Sequence, residues 1–177
     1  MARFYYHPLG EYAENYINDV ANTSERPHTR NGHGWGKIDW GVGGGHPVYA
    51  MTNGTLSSVN CRNASGEGGY VVILRTDRVD GTGKPIYINY LELDGLGEIP
   101  AQIAGIKAGP NTYNGQYFTY NANHTPVSMG TLLGYTNSRF TGSNIHLDFT
   151  YGDRYAGATT EGESHIGFGS KEGVPHI

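Results

Sequence analysis

Residues 142–149 read GSNIHLDF, and from Ile145 onward apolar and polar residues alternate. In an extended strand successive side chains point to opposite faces, so Ile145, Leu147 and Phe149 share one face while His146 and Asp148 share the other. The stretch therefore predicts a strand whose apolar side fills a core and whose reverse side holds an imidazole beside a carboxylate. Such a pair is the raw material of a metal site or an acid–base couple. The bland alternative is a satisfied, half-buried histidine.

The same texture extends in both directions. KIDWGV (37–42), HPVYAMTNG (46–54), TLSSVN (55–60), GYVVILRT (69–76), PIYINYLEL (85–93), VSMGTLLGYTN (127–137) and NIHLDFTYG (144–152) read as strands. TNGT (52–55) and VDGTG (79–83) supply hairpin turns, because Asn, Asp and Gly tolerate the positive φ that such turns need. Together they predict an antiparallel sheet and a mainly β fold. One short N-terminal helix is expected over 10–21, where Tyr12, Tyr16, Ile17 and Val20 recur at helical spacing until NTSERP ends it. Residues 94–125 break the strand rhythm and are too long for an ordinary loop, which predicts a functional rim or extra strands. The glycine-rich tail, about 157–177, is expected to be loosely held.

Composition narrows the function. The chain has 177 residues, enough for a single domain over 1–177 with its own core. Its 28 glycines and 14 tyrosines suit short strands and tight turns. Only 16% of residues are charged and the net charge is -4, so no basic stripe is present to neutralise a phosphate backbone and nucleic acid is excluded as a partner. The single cysteine, Cys61, rules out an internal disulfide and a cysteine-rich zinc site. No apolar run is long enough to span a membrane, and no signal-peptide layout is recognisable at the N-terminus.

A second chemically loaded stretch, NGHGWGKIDWG (31–41), places His33 and Asp39 on either side of Trp35 and just before Trp40. Read with it, IDWGVGGGHPVYAMTNGTLSSV, GGYVVILRTD, IYINYLEL and VSMGTLLGYTNSRFTGSNIHLDF, in that order, resemble the blocks of the lysostaphin-type (LytM-like) zinc metallo-endopeptidases. The resemblance covers about 30–151. It implies the antiparallel β-sheet or sandwich, a duplicated hybrid motif, of that peptidase domain.

The resemblance also implies roles. In that family an H-x-x-x-D motif binds zinc together with the second histidine of a late H-x-H, while the first histidine of H-x-H helps to catalyse. Asp39 matches the aspartate. His33 is the candidate for the first ligand, although it lies six positions before Asp39 and Trp35 occupies the family position. Gly32, Gly34 and Gly36 would permit the bulge that brings His33 back. His146 matches the catalytic histidine, and Asp148 replaces the third ligand. A Y-x-H-L block, whose histidine stabilises the oxyanion, is here YINYLEL. Aligning on its leucine makes Tyr90 the counterpart, and aligning on Tyr87 makes it Asn89.

The implied function is a peptidoglycan-directed zinc endopeptidase that cleaves peptide cross-links, located outside the cell, at the wall or on a virion. The alternative is an inactive module of the same fold that binds cell wall or serves as a structural part of a phage assembly. Aromatic residues near the motif and in 94–125, namely Trp35, Trp40, Tyr113 and Tyr117, are expected to line a substrate groove. The same aromatics suit a third reading, a β-sandwich that stacks on sugars.

Overall fold

The computed structural model describes residues 9–10, 26–27, 37–41, 44–62, 68–79, 85–137 and 144–151, with 26–27, 37–41 and 144–151 placed as backbone. His33, Trp35, the tail 157–177 and all of the expected N-terminal helix except Gly10 lie outside them.

Along the described chain come β1 (Arg26–Pro27), β2 (Lys37–Gly41), β3 (Pro47–Tyr49), β4 (Gly54–Arg62), β5 (Gly69–Val79) and β6 (Pro85–Leu93). Then follow β7 (Gly95–Leu96), the helix α1 (Glu98–Ala104), β8 (Phe118–Val127), β9 (Leu132–Tyr135) and β10 (Asn144–Tyr151). The architecture is mainly antiparallel β with this one short helix among the described residues. Seven strands form a sheet in the order β1-β2-β10-β6-β5-β4-β8, and β3-β9-β7 form a smaller one.

The apolar run of β5 explains its central place. Residues 69–74 are buried on both faces of the strand. Tyr70, Val72 and Leu74 meet Leu56, Val59 and Cys61 of β4 and Ile88, Tyr90 and Leu93 of β6 in the main core. The small sheet closes this core with Val48, Leu96 and Leu133, and α1 adds Ala101 and Ala104. Each buried large apolar side chain contributes about 1.5–3 kcal/mol relative to exposure. On the reverse side of the large sheet, Val71, Ile73, Tyr87 and Leu91 form a second cluster.

A bulge in β6 sets the boundary between the two clusters. Tyr70 stands opposite Leu93 and Val72 opposite Tyr90, so β6 carries one residue more than β5 over this span. Glu92 takes up the extra length at φ 58°. The extra residue turns Leu93 into the main core, where strict alternation would have sent it to the reverse side.

Residues 94–125 contain strands, as expected, but also α1, which the sequence reading did not anticipate. Seven residues are too few for helical periodicity to show, and Pro100 reads as a breaker unless it falls in the first turn, where its missing N–H is harmless. Gly105, at φ 64°, ends the helix. Its N–H donates to the Gln102 carbonyl at 3.2 Å and the Ile106 N–H to the Ala101 carbonyl at 3.0 Å, the paired bonds of a Schellman ending. The following irregular stretch is pinned down. The Gly109 N–H donates to Leu96 and the Tyr113 N–H to Asp94, both at 2.9 Å. The Tyr70 hydroxyl donates to the Thr112 carbonyl at 2.8 Å.

No helix among the described residues is long and apolar enough to cross a membrane.

Candidate functional site

The strand order brings β2, β10 and β6 side by side. In the ladder His146 stands opposite Asp39 of β2, and Asp148 stands opposite Lys37. On the other flank Asp148 stands opposite Asn89 of β6, and His146 opposite Leu91. With a period of two, Asp39, His146, Asp148 and Asn89 occupy one face of three neighbouring strands. It is the face of Tyr87 and Leu91, the reverse of the main core. Directly opposed Cβ atoms in such ladders lie about 4.5–5.5 Å apart and diagonal neighbours about 7–8 Å. The backbone thus places Asp39, Asn89, His146 and Asp148, far apart in sequence, on one face of neighbouring strands.

Asn89 is the unusual member. It is 0% exposed. Its Oδ1 and Nδ2 have no hydrogen-bond partner. Its flanking residues Tyr87 and Leu91 and its cross-strand neighbour Ile73 are apolar or aromatic and offer it nothing. A buried polar group left unpaired costs about 1–3 kcal/mol, so nearly all such groups in folded proteins have a partner or a function.

Tyr90 lies on the opposite side of β6, in the main core. The Met51 N–H donates to its hydroxyl at 2.9 Å. Burial pushes its hydroxyl pKa far above the ordinary tyrosine range, the Met51 hydrogen bond opposing only weakly. Of the two residues the YINYLEL block offered, the register therefore places Asn89 on the face of His146 and Tyr90 away from it. A one-residue slip in alignment exchanges the two faces, which is why the block alone left both open.

The aromatic residues disperse. Trp40 stands opposite Ile145, on the face away from Asp39. Tyr113 is a structural anchor: its hydroxyl donates to the Arg62 carbonyl at 2.8 Å, and its ring meets Tyr70 edge-on at 5.6 Å. Tyr117, 73% exposed, immediately precedes β8. β8 is four places from β10 in the sheet order, about 19 Å at the usual strand spacing. A cleft of about 450 Å³, lined by Glu98, Ile99, Leu132 and Tyr135 among others, opens beside α1 and the small sheet, also away from the patch.

Among the described residues no group of three or more His, Cys, Asp or Glu side chains forms a metal site. His33 lies outside the described residues, and Asp39, His146 and Asp148 are placed by their strand backbone. Carboxylate and neutral imidazole are ordinary zinc ligands, so the residue types that share this face suit a divalent cation, and Asn89 on the same face is buried with its carboxamide unpaired.

No protein-family model matches the sequence, and no curated protein matches it. Among solved structures, the chain is similar to the catalytic domain of the antimicrobial peptidase lysostaphin from Staphylococcus simulans. Identity there is 18% over 78% of this chain and 84% of that one, with a TM-score of 0.44. It is also similar to a zinc-containing peptidase from Vibrio cholerae, at 18% identity over 72% of this chain and 31% of that one, with a TM-score of 0.41. For Csd3 of Helicobacter pylori the identity is 16% over 68% of this chain, with a TM-score of 0.40, and the chain spans only 24% of that protein's length.

Proposed function

We propose that the protein is a zinc-dependent peptide-bond hydrolase acting on the peptide cross-links of peptidoglycan. The observation that carries this reading is the register of β2, β10 and β6, which gathers Asp39, His146, Asp148 and Asn89 on one face. The motif order of the sequence supports it independently. Asp39 and Asp148, with His33 from the glycine-rich stretch before β2, are the residues that would hold the ion. Zinc bound there supplies Lewis-acid polarisation of the scissile carbonyl. His146, directly opposite Asp39 in the ladder, is the general base that takes the proton of the attacking water. The carboxylate beside it favours the protonated imidazole that results.

The test is metal content together with turnover. Protein dialysed first against zinc and then against zinc-free buffer should retain about one ion per chain and release peptide fragments from purified peptidoglycan. Asp39→Ala and Asp148→Ala should each lose both properties, whereas His146→Ala should keep the ion and lose turnover. Cleavage that survives both aspartate substitutions would overturn the mechanism.

A second reading, a wall-binding module without catalysis, draws on Asp148 and Asn89 standing where the resemblance calls for histidines. It predicts that the wild type sediments with peptidoglycan and releases no fragments.

A further inference from the structure

β8 is the last strand of the large sheet. β4 pairs with one of its edges and, among the described residues, no strand pairs with the other. Most of its residues are exposed. An open edge presents a row of unpaired backbone N–H and C=O groups, which folded proteins usually guard with charge, proline or a bulge. β8 is guarded along its second half only. Asn121 stands opposite Ser58 and Thr125 opposite Leu56, so four steps of β8 face two of β4. The extra length is taken up at Asn123 and His124, at φ 49° and 53°. The Asn123 N–H closes this bulge by donating to Asn121 Oδ1 at 2.7 Å, and Pro126, which has no N–H to offer, follows it. The half before the bulge, 118–122, has none of these guards, and residues 108–138 contain no Asp, Glu, Lys or Arg.

A row of rings runs out to this unguarded half. Tyr113 meets Tyr70 at 5.6 Å between centroids, Tyr70 meets Phe118 at 5.9 Å, and Phe118 meets Tyr120 at 5.1 Å. Tyr70 is 1% exposed and Tyr120 44%, so the row begins in the core and stops, open, on the edge strand.

We infer that 118–122 is a docking edge for a second copy of this chain, paired antiparallel, β8 to β8, about a twofold axis at Tyr120. In such a pair each residue near the axis faces its own counterpart, so a charge there would repel itself. This edge carries none, in a chain whose net charge is -4. Centring the register on Tyr120 sets Tyr120 opposite Tyr120 and Phe118 opposite the small Ala122. The ring row of one copy then continues into that of the other, at the close spacing of directly opposed strand residues. The bulge confines the pairing to 118–122, and the pair uses up this edge of both chains, so assembly closes at two. The paired stretch is short, and its interface falls below the roughly 1,200 Å² of standard complexes, which makes the dimer a weak one.

The experiment follows the mass of the full chain by sedimentation equilibrium from about 1 μM to about 1 mM, the range in which a weak interface titrates. The wild type should pass from monomer to dimer and go no further. Tyr120→Lys and Tyr120→Glu should each associate at least about tenfold more weakly, because like charges then meet across the axis. An equimolar mixture of the two variants should regain association, since Lys then faces Glu. That recovery separates a lost interface from a damaged fold. In the wild type, amides of 118–122 should exchange more slowly in concentrated than in dilute protein. A wild type that stays monomeric throughout would overturn the inference. So would a dimer that survives Tyr120→Lys, a mixture that fails to recover, or assembly that grows beyond two. None of these outcomes bears on zinc binding or peptide cleavage, so the proposed function is tested separately.

Discussion

One position separates Asn89 from Tyr90, and the alternation of a strand sends them to opposite sides of β6. Tyr90 serves the core: its hydroxyl accepts a hydrogen bond from the buried Met51 N–H. Tyr90→Phe should therefore destabilise the protein by about 1–3 kcal/mol in chemical denaturation while leaving zinc affinity and peptide cleavage unchanged. A loss of cleavage in a still-folded Tyr90→Phe would return that hydroxyl to the reaction. Cys61 is equally a core residue, 0% exposed, and burial pushes its thiol pKa from 9.0 up to about 11. Because only the thiolate is nucleophilic, a thiol-specific reagent at pH 8 should label the unfolded chain and spare the folded one. The same shift gives a sign to the pH dependence. The folded state keeps the thiol neutral to higher pH than the unfolded chain does, so stability is intact below about pH 9 and falls as pH rises from 9 towards 11. Tyr70 and Tyr90, whose pKa values are also raised by burial, act in the same direction. Unfolding free energies measured across pH 8–11 check this, and a flat profile would contradict it.

Among the elements, β7 shows how closely the 94–125 segment is fitted to the rest. A Cβ built on Gly95 would overlap the Gly109 carbonyl oxygen, which belongs to the backbone and cannot rotate away. Leu96 and Gly109 form an isolated bridge across this contact. Gly95→Ala must separate the two segments, so it should lower stability by about 1–3 kcal/mol, the range for forced overpacking. It should also expose the stretch after α1 to limited proteolysis before the sheet unfolds. Proteolysis that began elsewhere would show that this contact does not hold the segment in place.

At the scale of the molecule, the large sheet has a distinct layer on each face. The main core and small sheet lie on one side, and the candidate cation patch lies on the other, across β2, β10 and β6. β5 stands inside this sheet, between β6 and β4, buried on both faces from Gly69 to Leu74. Its amides should exchange with solvent most slowly, through global unfolding, while those of β8, at the sheet edge and largely exposed, should exchange by local opening. Hydrogen-exchange mass spectrometry distinguishes the two regimes. Binding linkage adds a further expectation. A ligand at 100 times its dissociation constant stabilises the folded state by about 2.7 kcal/mol. Zinc should therefore raise the melting temperature of the wild type and not that of Asp39→Ala or Asp148→Ala.

Much of this was legible in the sequence because it depends on local chemistry. The apolar run in GYVVILRT and the alternation in NIHLDF identified the strands, and the Gly and Asn turns between them gave the antiparallel class, since these signals arise within a few residues. The same alternation paired His146 with Asp148 before any partner strand was known. α1 escaped because seven residues carry no period and Pro100 argues against helix until its place in the first turn is known. What only the tertiary structure decided was neighbourhood. That β10 lies between β2 and β6, that Asp39 stands opposite His146, that Asn89 rather than Tyr90 stands opposite Asp148, and that Tyr113 is spent holding Arg62 all depend on strand order, register and one bulge at Glu92. Those are set by how whole strands bury their apolar faces against one another, a long-range competition that no short stretch of residues encodes by itself.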